Sequence, residues 1–124
     1  MAWELSNDRP IYSQIVEIIK LRIVSGYYPA GEKLPSVREL AAEAGVNPNT
    51  MQKAFAELES SGLLTTMRTS GRVVTEDGEL IREAKEAIAK NEVDQFLEKM
   101  KKLGYELEEA REFVNRILKE ENET

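Results

Sequence analysis

The chain has 124 residues and a net charge of −6, and its 41% hydrophobic and 32% charged residues are typical of a folded protein rather than a disordered one. It contains no cysteine and no histidine, which excludes disulfide bonds, thiolate zinc sites and the commonest general base at neutral pH. No apolar stretch approaches membrane-spanning length, and residues 1–5 lack the pattern of a signal peptide. We therefore expect a cytoplasmic protein with no membrane partner. Because cysteine and histidine are absent, we also expect that the protein is not an enzyme and has no cofactor or metal site.

The negative charge is unevenly distributed along the chain. Residues 1–75 contain eight basic and eight acidic residues, whereas residues 76–124 contain nine basic and fifteen acidic residues. The whole excess of negative charge therefore lies in the last part of the sequence. This asymmetry predicts two regions with different roles, a first domain over residues 1–76 and a second region over residues 77–124.

A helix-turn-helix pattern follows a first predicted helix over residues 11–24. Ser36 and Glu39 form a capping box, in which the serine hydroxyl accepts a first-turn N–H and the glutamate reaches back. This box begins a short helix over residues 37–44. Gly45 supplies the left-handed turn that ends it, and an asparagine–proline pair then begins a second helix at once. Two helices joined by so short a turn predict a helix-turn-helix motif.

The second helix of this motif has residue types that suit the groove of DNA. Its apolar residues repeat at helical spacing and predict a buried stripe of Met51, Ala54, Phe55 and Leu58. The opposite face carries Asn49, Gln52 and Lys53, and there is no carboxylate between residues 47 and 56. An exposed helix face with amide and ammonium groups but no acid can enter a groove lined by phosphates.

Two short strands and two further helices complete the predicted fold. Strands over residues 63–67 and 73–75 flank a basic hairpin tip over residues 68–72. A long amphipathic helix follows from about residue 79 to residue 103, and a last helix extends over residues 106–119. We expect a mainly α fold with a small β-hairpin wing, a winged helix-turn-helix domain followed by a two-helix C-terminal dimerisation region.

The apolar stripes of the last two helices need a partner, because two amphipathic helices cannot enclose a core by themselves. They must pack on the N-terminal domain or on another copy of the chain, and the second copy is the simpler solution. The predicted dimerisation residues are Ile81, Ala84, Ile88, Val93, Phe96, Leu97, Met100, Leu107, Phe113, Val114 and Ile117.

Several motifs in one order resemble a GntR-family winged-helix transcription regulator. They are PIYSQI at residues 10–15, PAGEKLPSVRELA at 29–41, GVNPNT at 45–50, and the pairs at 54–55, 58–59 and 62–63. The resemblance covers roughly residues 3–75, and several spaced motifs are far more specific than a lone helix-turn-helix pattern. The short two-helix region, in place of a large effector domain, resembles the YtrA-type subfamily.

The resemblance implies a homodimer that binds double-stranded DNA and represses transcription. YtrA-type members dimerise through the short C-terminal region and often repress operons for ABC-type exporters. Two features depart from the family pattern. Ala30 stands where a glycine is common, and the wing has Thr69 and Val73 at positions where the family has a glycine and an aromatic residue. The second departure affects how closely the wing backbone can approach a minor groove.

The candidate DNA-binding residues come partly from the residue types and partly from the resemblance. In the resemblance, Arg38 matches an arginine that contacts DNA, and the start of the second helix matches the region that contacts bases and phosphates; a solvated surface charge is the alternative for Arg38. Ser36 and Asn47 are helix caps first. The full set of candidates is Ser36, Arg38, Asn47, Asn49, Thr50, Gln52, Lys53, Arg68, Thr69, Ser70 and Arg72.

These features predict a sequence-specific regulator that binds an inverted-repeat operator as a homodimer, with half-sites about 10 base pairs apart or a small multiple of that distance. No effector pocket can be read from the sequence. The alternative is a protein-interaction adaptor that uses the winged helix without sequence-specific DNA binding. The acid-free start of the second helix favours DNA over this alternative.

Overall fold

The computed structural model describes residues 3–69 and 71–123. Within them the chain forms five helices and one two-stranded antiparallel sheet, and the fold is mainly helical as predicted. The elements in chain order are α1 (Ile11–Val24), α2 (Val37–Ala44), α3 (Pro48–Ser60), β1 (Leu64–Met67), β2 (Gly71–Val74), α4 (Gly78–Lys102) and α5 (Leu107–Asn122). None of the described helices combines the length and apolarity that crossing a membrane requires.

The helix-turn-helix motif is built from local signals that the sequence displays. Ser36 Oγ accepts a hydrogen bond from the backbone N–H of Glu39 at 3.1 Å, and the Glu39 carboxylate accepts one from the backbone N–H of Ser36 at 3.0 Å. These contacts hold the pKa of Glu39 below its ordinary value. Gly45 adopts a φ of 76°, the left-handed conformation that favours glycine. The predicted capping box and turn are confirmed.

The first hydrophobic core forms around α3, which packs against α1, α2 and β1. The α3 residues that form this core are Met51, Ala54, Phe55 and Leu58, each with no exposed surface. From α1 the core takes Ile15, Ile19 and Ile23, and from α2 it takes Leu40. The stripe predicted on α3 is therefore confirmed as core, and the opposite face of α3 is left to solvent.

The wing is a hairpin whose turn is shorter than predicted. The strand pairing places Leu64 opposite Val74 and Thr66 opposite Arg72. The prediction that Arg72 lies in the tip is wrong, because this residue is part of β2. It is fixed there from the other side by Leu34, whose backbone N–H donates to the Arg72 carbonyl at 2.9 Å.

The chain divides into two compact units, Met1–Lys85 and Glu86–Thr124, and the division falls inside α4. The first turns of α4 belong to the first unit, where Leu80, Ile81 and Ala84 pack against its core. Ile81 and Ala84 were predicted to form the dimer interface, but their side chains already have apolar partners in the same chain.

The second unit consists of the remaining turns of α4 and the whole of α5. Gly104 allows the turn between α4 and α5 with a φ of 101°. Within the unit only Met100 and Ala110 are buried among the described hydrophobic residues. Tyr105 packs beside Phe113 with ring centroids 5.6 Å apart.

Candidate nucleic-acid interface

The exposed face of α3 presents polar side chains and no acid over its first turns. Asn49, Gln52 and Lys53 are exposed, and Thr50 is half-buried beside them. Because the apolar stripe of α3 anchors the helix from behind, this face is held rigidly towards solvent. Amide groups in such a position can form paired hydrogen bonds with base edges, which read a sequence.

Arg38, in the first turn of α2, lies beside a cleft that joins three parts of the first unit. The cleft has a volume of about 370 Å³ and is lined by the segment before α2, by α3 and by the wing. Lys33 and Gln52 also line it, and none of the described residues along it is acidic. Such a cleft has the sign of charge that attracts phosphate.

The basic side chains of the first unit differ in whether they already have an acidic partner. Arg9 and Arg22, which lie elsewhere in the unit, form ion pairs with glutamates. Over the described residues, neither Lys33 nor Arg38 forms an ion pair. Their charges are therefore available to a phosphate without an internal ion pair being broken first.

Lys53 is held by an aromatic ring rather than by an acid. Its ammonium nitrogen lies 4.0 Å from the centroid of the Tyr12 ring. This cation–π contact joins α3 to the start of α1 and leaves the positive charge uncompensated. Lys53 therefore still contributes a full charge to the electrostatic potential of the exposed α3 face.

Arg72 has a different environment from the other candidate cations. Its Nε donates to the Glu59 carboxylate at 3.1 Å, and its guanidinium carbon lies 5.4 Å from the centroid of the Phe55 ring. The same carboxylate accepts a hydrogen bond from the Thr66 hydroxyl. The hydrogen bond from Thr66, together with Arg72, holds the pKa of Glu59 below its ordinary value. Phosphate contact by Arg72 remains a prediction.

The match to known proteins agrees with this geometry. The family model described as "Bacterial regulatory proteins, gntR family" matches residues 11–74, which include α1, the helix-turn-helix motif and the wing. This chain belongs to the gntR family. Its first unit therefore contains the DNA-binding domain of a transcriptional regulator, and the resemblance read from the sequence is confirmed.

Relatives of the same short length extend the match beyond the winged helix. The chain is 38% identical over 112 residues to the HTH-type transcriptional repressor YtrA of Bacillus subtilis, covering 90% of this chain and 86% of that protein. It is similar to a GntR family transcriptional regulator from Listeria monocytogenes, with a TM-score of 0.81, 43% identity and coverage of 90% and 98% of the two chains. The chain is YtrA-like in length as well as in its winged helix.

A similar solved structure contains operator DNA. The AraR DNA-binding domain in complex with operator ORX1 matches with a TM-score of 0.52 and 29% identity, and the match covers 60% of this chain and 99% of that chain. That protein binds its operator in the crystal. The region of this gntR-family chain that matches the family model, residues 11–74, lies in the first unit.

The remaining candidate residues of this gntR-family chain fall into two groups. Ser36 and Asn47 both serve as helix caps, and Asn47 Oδ1 accepts the backbone N–H of Asn49 at 2.7 Å. Arg68 and Thr69 are exposed at the wing turn. Ser70 lies outside the described residues. The structure thus brings four candidates to one cleft, namely Ser36, Arg38, Gln52 and Arg72. The other candidates of α3 lie outside the lining of this cleft, and Arg68 lies at the turn of the hairpin.

Three residues near this surface were not singled out by the sequence. Lys33 lies within one of the family segments but shows no periodicity or cap that marks it. Tyr12 and Glu59 become informative only through their contacts with Lys53 and Arg72, which are distant in the chain. A sequence pattern does not contain such pairings.

A further cluster of side chains, centred on Arg22, contacts α2 of the helix-turn-helix motif. The Arg22 guanidinium donates to Tyr28 Oη at 2.7 Å and to the Glu43 carboxylate at 2.9 Å, and it lies 4.7 Å from the centroid of a Trp3 ring. Trp3 Nε1 also donates to Glu43 at 2.8 Å. The hydrogen bond from Trp3 is the main cause of a lowered pKa for Glu43. These contacts fasten the N-terminal segment and α1 to α2.

Proposed function

We propose that this gntR-family regulator is a homodimeric repressor that binds an inverted-repeat operator. The observation that carries the proposal is the acid-free start of α3, residues 48–56, beside a cleft where Lys33 and Arg38 have no ion pair with a described residue. A surface that binds a protein partner would not require acids to be excluded so consistently. A surface that meets phosphates does.

The roles within the proposal follow from side-chain chemistry. Asn49 and Gln52 read base edges in the major groove, because amide groups can donate and accept at once. Arg38, Lys53 and Arg68 contact phosphates and set the position of the protein on the duplex. The YtrA relative is named a repressor, and the AraR winged helix is bound to an operator. Both support assigning repression and operator binding to this chain.

The homodimer in the proposal rests on the second unit. Val93, Phe96, Leu107 and Ile117 are all exposed, with exposed fractions between 41% and 60%. A second copy presents the same apolar stripe and can cover it symmetrically, which makes a two-fold pair the simplest closed arrangement. Leu97, Phe113 and Val114 are half-buried beside these residues and complete the proposed interface.

The two-fold pair predicts the form of the operator. Two copies of α3 that enter successive major grooves require half-sites about 10 base pairs apart, or a small multiple of that distance, in inverted orientation. The protein acts in the cytoplasm in this proposal. The regulated genes are those of an ABC-type transporter, as the resemblance to the YtrA-type subfamily implies.

The proposal is tested by selecting bound duplexes from a random-sequence pool and measuring affinity for the enriched duplex by fluorescence anisotropy. Arg38→Ala is expected to lower the affinity about tenfold and to reduce the salt dependence by about one phosphate contact. Arg111→Ala is the matched control, since it removes the same charge from the exposed surface of α5. Absence of any enriched duplex, or equal affinity for the two variants, would overturn the proposal.

A further inference from the structure

The wing is fastened to α3 by one carboxylate. Glu59, in the last turn of α3, accepts hydrogen bonds from the Thr66 hydroxyl and from Arg72 Nε. Thr66 and Arg72 are direct partners across the hairpin, one from each strand. A single side chain of α3 therefore binds both strands of the wing at the same pair of residues.

The contact with Glu59 supports the hairpin beyond the point where its side chains are buried in the core. At the base of the wing, the paired residues Leu64 and Val74 are buried in the core. Successive side chains of a strand point to opposite faces, so Thr66 and Arg72 form the next pair on that same inward face. At this second pair, the contact with α3 is polar, because Thr66 and Arg72 hydrogen-bond to Glu59. The backbone of residues 32–34 supports β2 from its other edge, and Glu59 adds support from α3 because a two-stranded hairpin is only marginally stable by itself.

The contact is partly shielded from solvent. The Glu59 and Arg72 side chains are only 28% and 25% exposed, and the guanidinium lies against the Phe55 ring. The Glu59 carboxylate is charged at neutral pH, and the hydrogen bonds from Thr66 and Arg72 lower its pKa below the ordinary value. The charge of Arg72 balances it, so an acid at this point does not add net negative charge to the DNA-facing side.

From this geometry we propose that Glu59 is a positioning residue for DNA binding, which holds the wing at a fixed angle to α3 and so places Arg68 against the duplex. The inference rests on the proposed function, in which the wing tip contacts phosphate. Glu59 itself does not touch DNA in this account. It acts through Thr66 and Arg72.

The proposal predicts an effect opposite in sign to that of simple charge removal. Removing an acid near a DNA-binding surface should strengthen binding, and releasing Arg72 to contact a phosphate should strengthen it further. If Glu59 positions the wing, its neutralisation must instead weaken binding. The direction of the change therefore separates positioning from electrostatic repulsion.

Glu59→Gln is compared with Glu57→Gln, which removes the same charge from an exposed position on the same helix. Affinity is measured by fluorescence anisotropy with the duplex that the unmodified protein enriches. We expect Glu59→Gln to weaken binding on the order of fivefold, within the coupling range of interacting residues, and Glu57→Gln to leave it unchanged or slightly stronger. Thr66→Val removes the other hydrogen bond without removing a charge and is expected to weaken binding in the same direction.

A double-mutant cycle with Arg68→Ala tests whether Glu59 acts through the wing tip. In the Arg68→Ala protein, most of the loss caused by Glu59→Gln should disappear. Amide hydrogen exchange of the free protein provides a measurement that does not involve DNA. In the Glu59→Gln protein, exchange should become faster in β1 and β2 but not in α1. Stronger binding by Glu59→Gln, an equal loss in both backgrounds, or unchanged exchange in the wing would overturn the inference. Failure of the unmodified protein to bind any duplex would overturn the proposed function, while the exchange measurement would still decide whether Glu59 fastens the wing.

Discussion

The two units of the chain use apolar residues in opposite ways. In the first unit, Phe55 and its neighbours on α3 are completely buried by elements of the same chain. In the second, Phe96 and Val93 remain 42% and 52% exposed. The first unit therefore closes its own core, whereas the second leaves apolar side chains exposed, and we propose that a second copy covers them. The excess negative charge lies in residues 76–124, which include the whole second unit.

The largest expected effect is a loss of unfolding free energy when a phenylalanine is replaced by alanine, and this loss should differ between the two units. Phe55→Ala should cost about 3–5 kcal/mol of unfolding free energy, because it leaves a cavity in a closed core. Phe96→Ala should cost less, and its cost should depend on protein concentration because its proposed partner is a second chain. Urea unfolding at several protein concentrations measures both. Equal losses that do not depend on concentration would contradict the comparison.

The second prediction breaks the proposed pairing of the second unit. Ile117→Glu places a charge in the exposed apolar stripe of α5 and is expected to weaken dimerisation by about 2 kcal/mol or more, which is roughly thirtyfold. Asn115→Glu adds the same charge at an exposed position two residues away and should leave the dimer intact. Sedimentation velocity distinguishes the two variants. A monomeric unmodified protein at micromolar concentration would rule out the interface.

The third prediction concerns the charges that face DNA. Lys53→Ala should weaken binding by a similar factor for every duplex and reduce the slope of log affinity against log salt by about 1, because it removes one phosphate contact. Lys119→Ala removes the same charge from α5 and should leave the slope unchanged. Anisotropy titrations over a range of salt concentrations measure both slopes. Identical slopes for the two variants would mean that Lys53 does not face phosphate.

The smallest expected effect is a loss of stability of the first unit in acid. The pKa values of Glu43 and Glu59 are lowered by contacts made only in the folded state, so these contacts stabilise the fold fully above the ordinary carboxyl pKa of 4.5. The stabilisation is lost as pH falls through the lower folded-state values. Thermal unfolding followed by the fluorescence of Trp3, the one tryptophan of the chain, should show this decrease. A Glu43→Gln protein should show a flatter pH profile, and an unchanged profile would contradict the role of the Trp3–Glu43 contact.

Much of the fold could be predicted because its signals are local. The bounds of α1 and α2 agree with the prediction, since Pro10, the Ser36–Glu39 capping box and Gly45 each fix a helix end through contacts a few residues apart. The buried stripe of α3 was predictable from its spacing for the same reason. These residues determine their own conformation.

The rest depended on contacts between residues that are distant in the chain. Arg72 was predicted in the wing tip, but Glu59 and Leu34 fix it within β2. Ile81 and Ala84 belong to an amphipathic pattern, which predicts that they are covered but not which surface covers them. In the structure they pack against the core of the first unit. An amphipathic pattern shows that a side chain needs a partner without showing which one.

The central claim is that two copies of this chain read one operator together. It is tested most directly by measuring affinity for a series of duplexes in which the two halves of the enriched site are moved apart one base pair at a time. The account predicts a maximum when the half-sites lie about one helical turn apart or a small multiple of it, with weaker binding between those spacings. Affinity that does not change with spacing would mean that the protomers bind independently, and it would contradict the account.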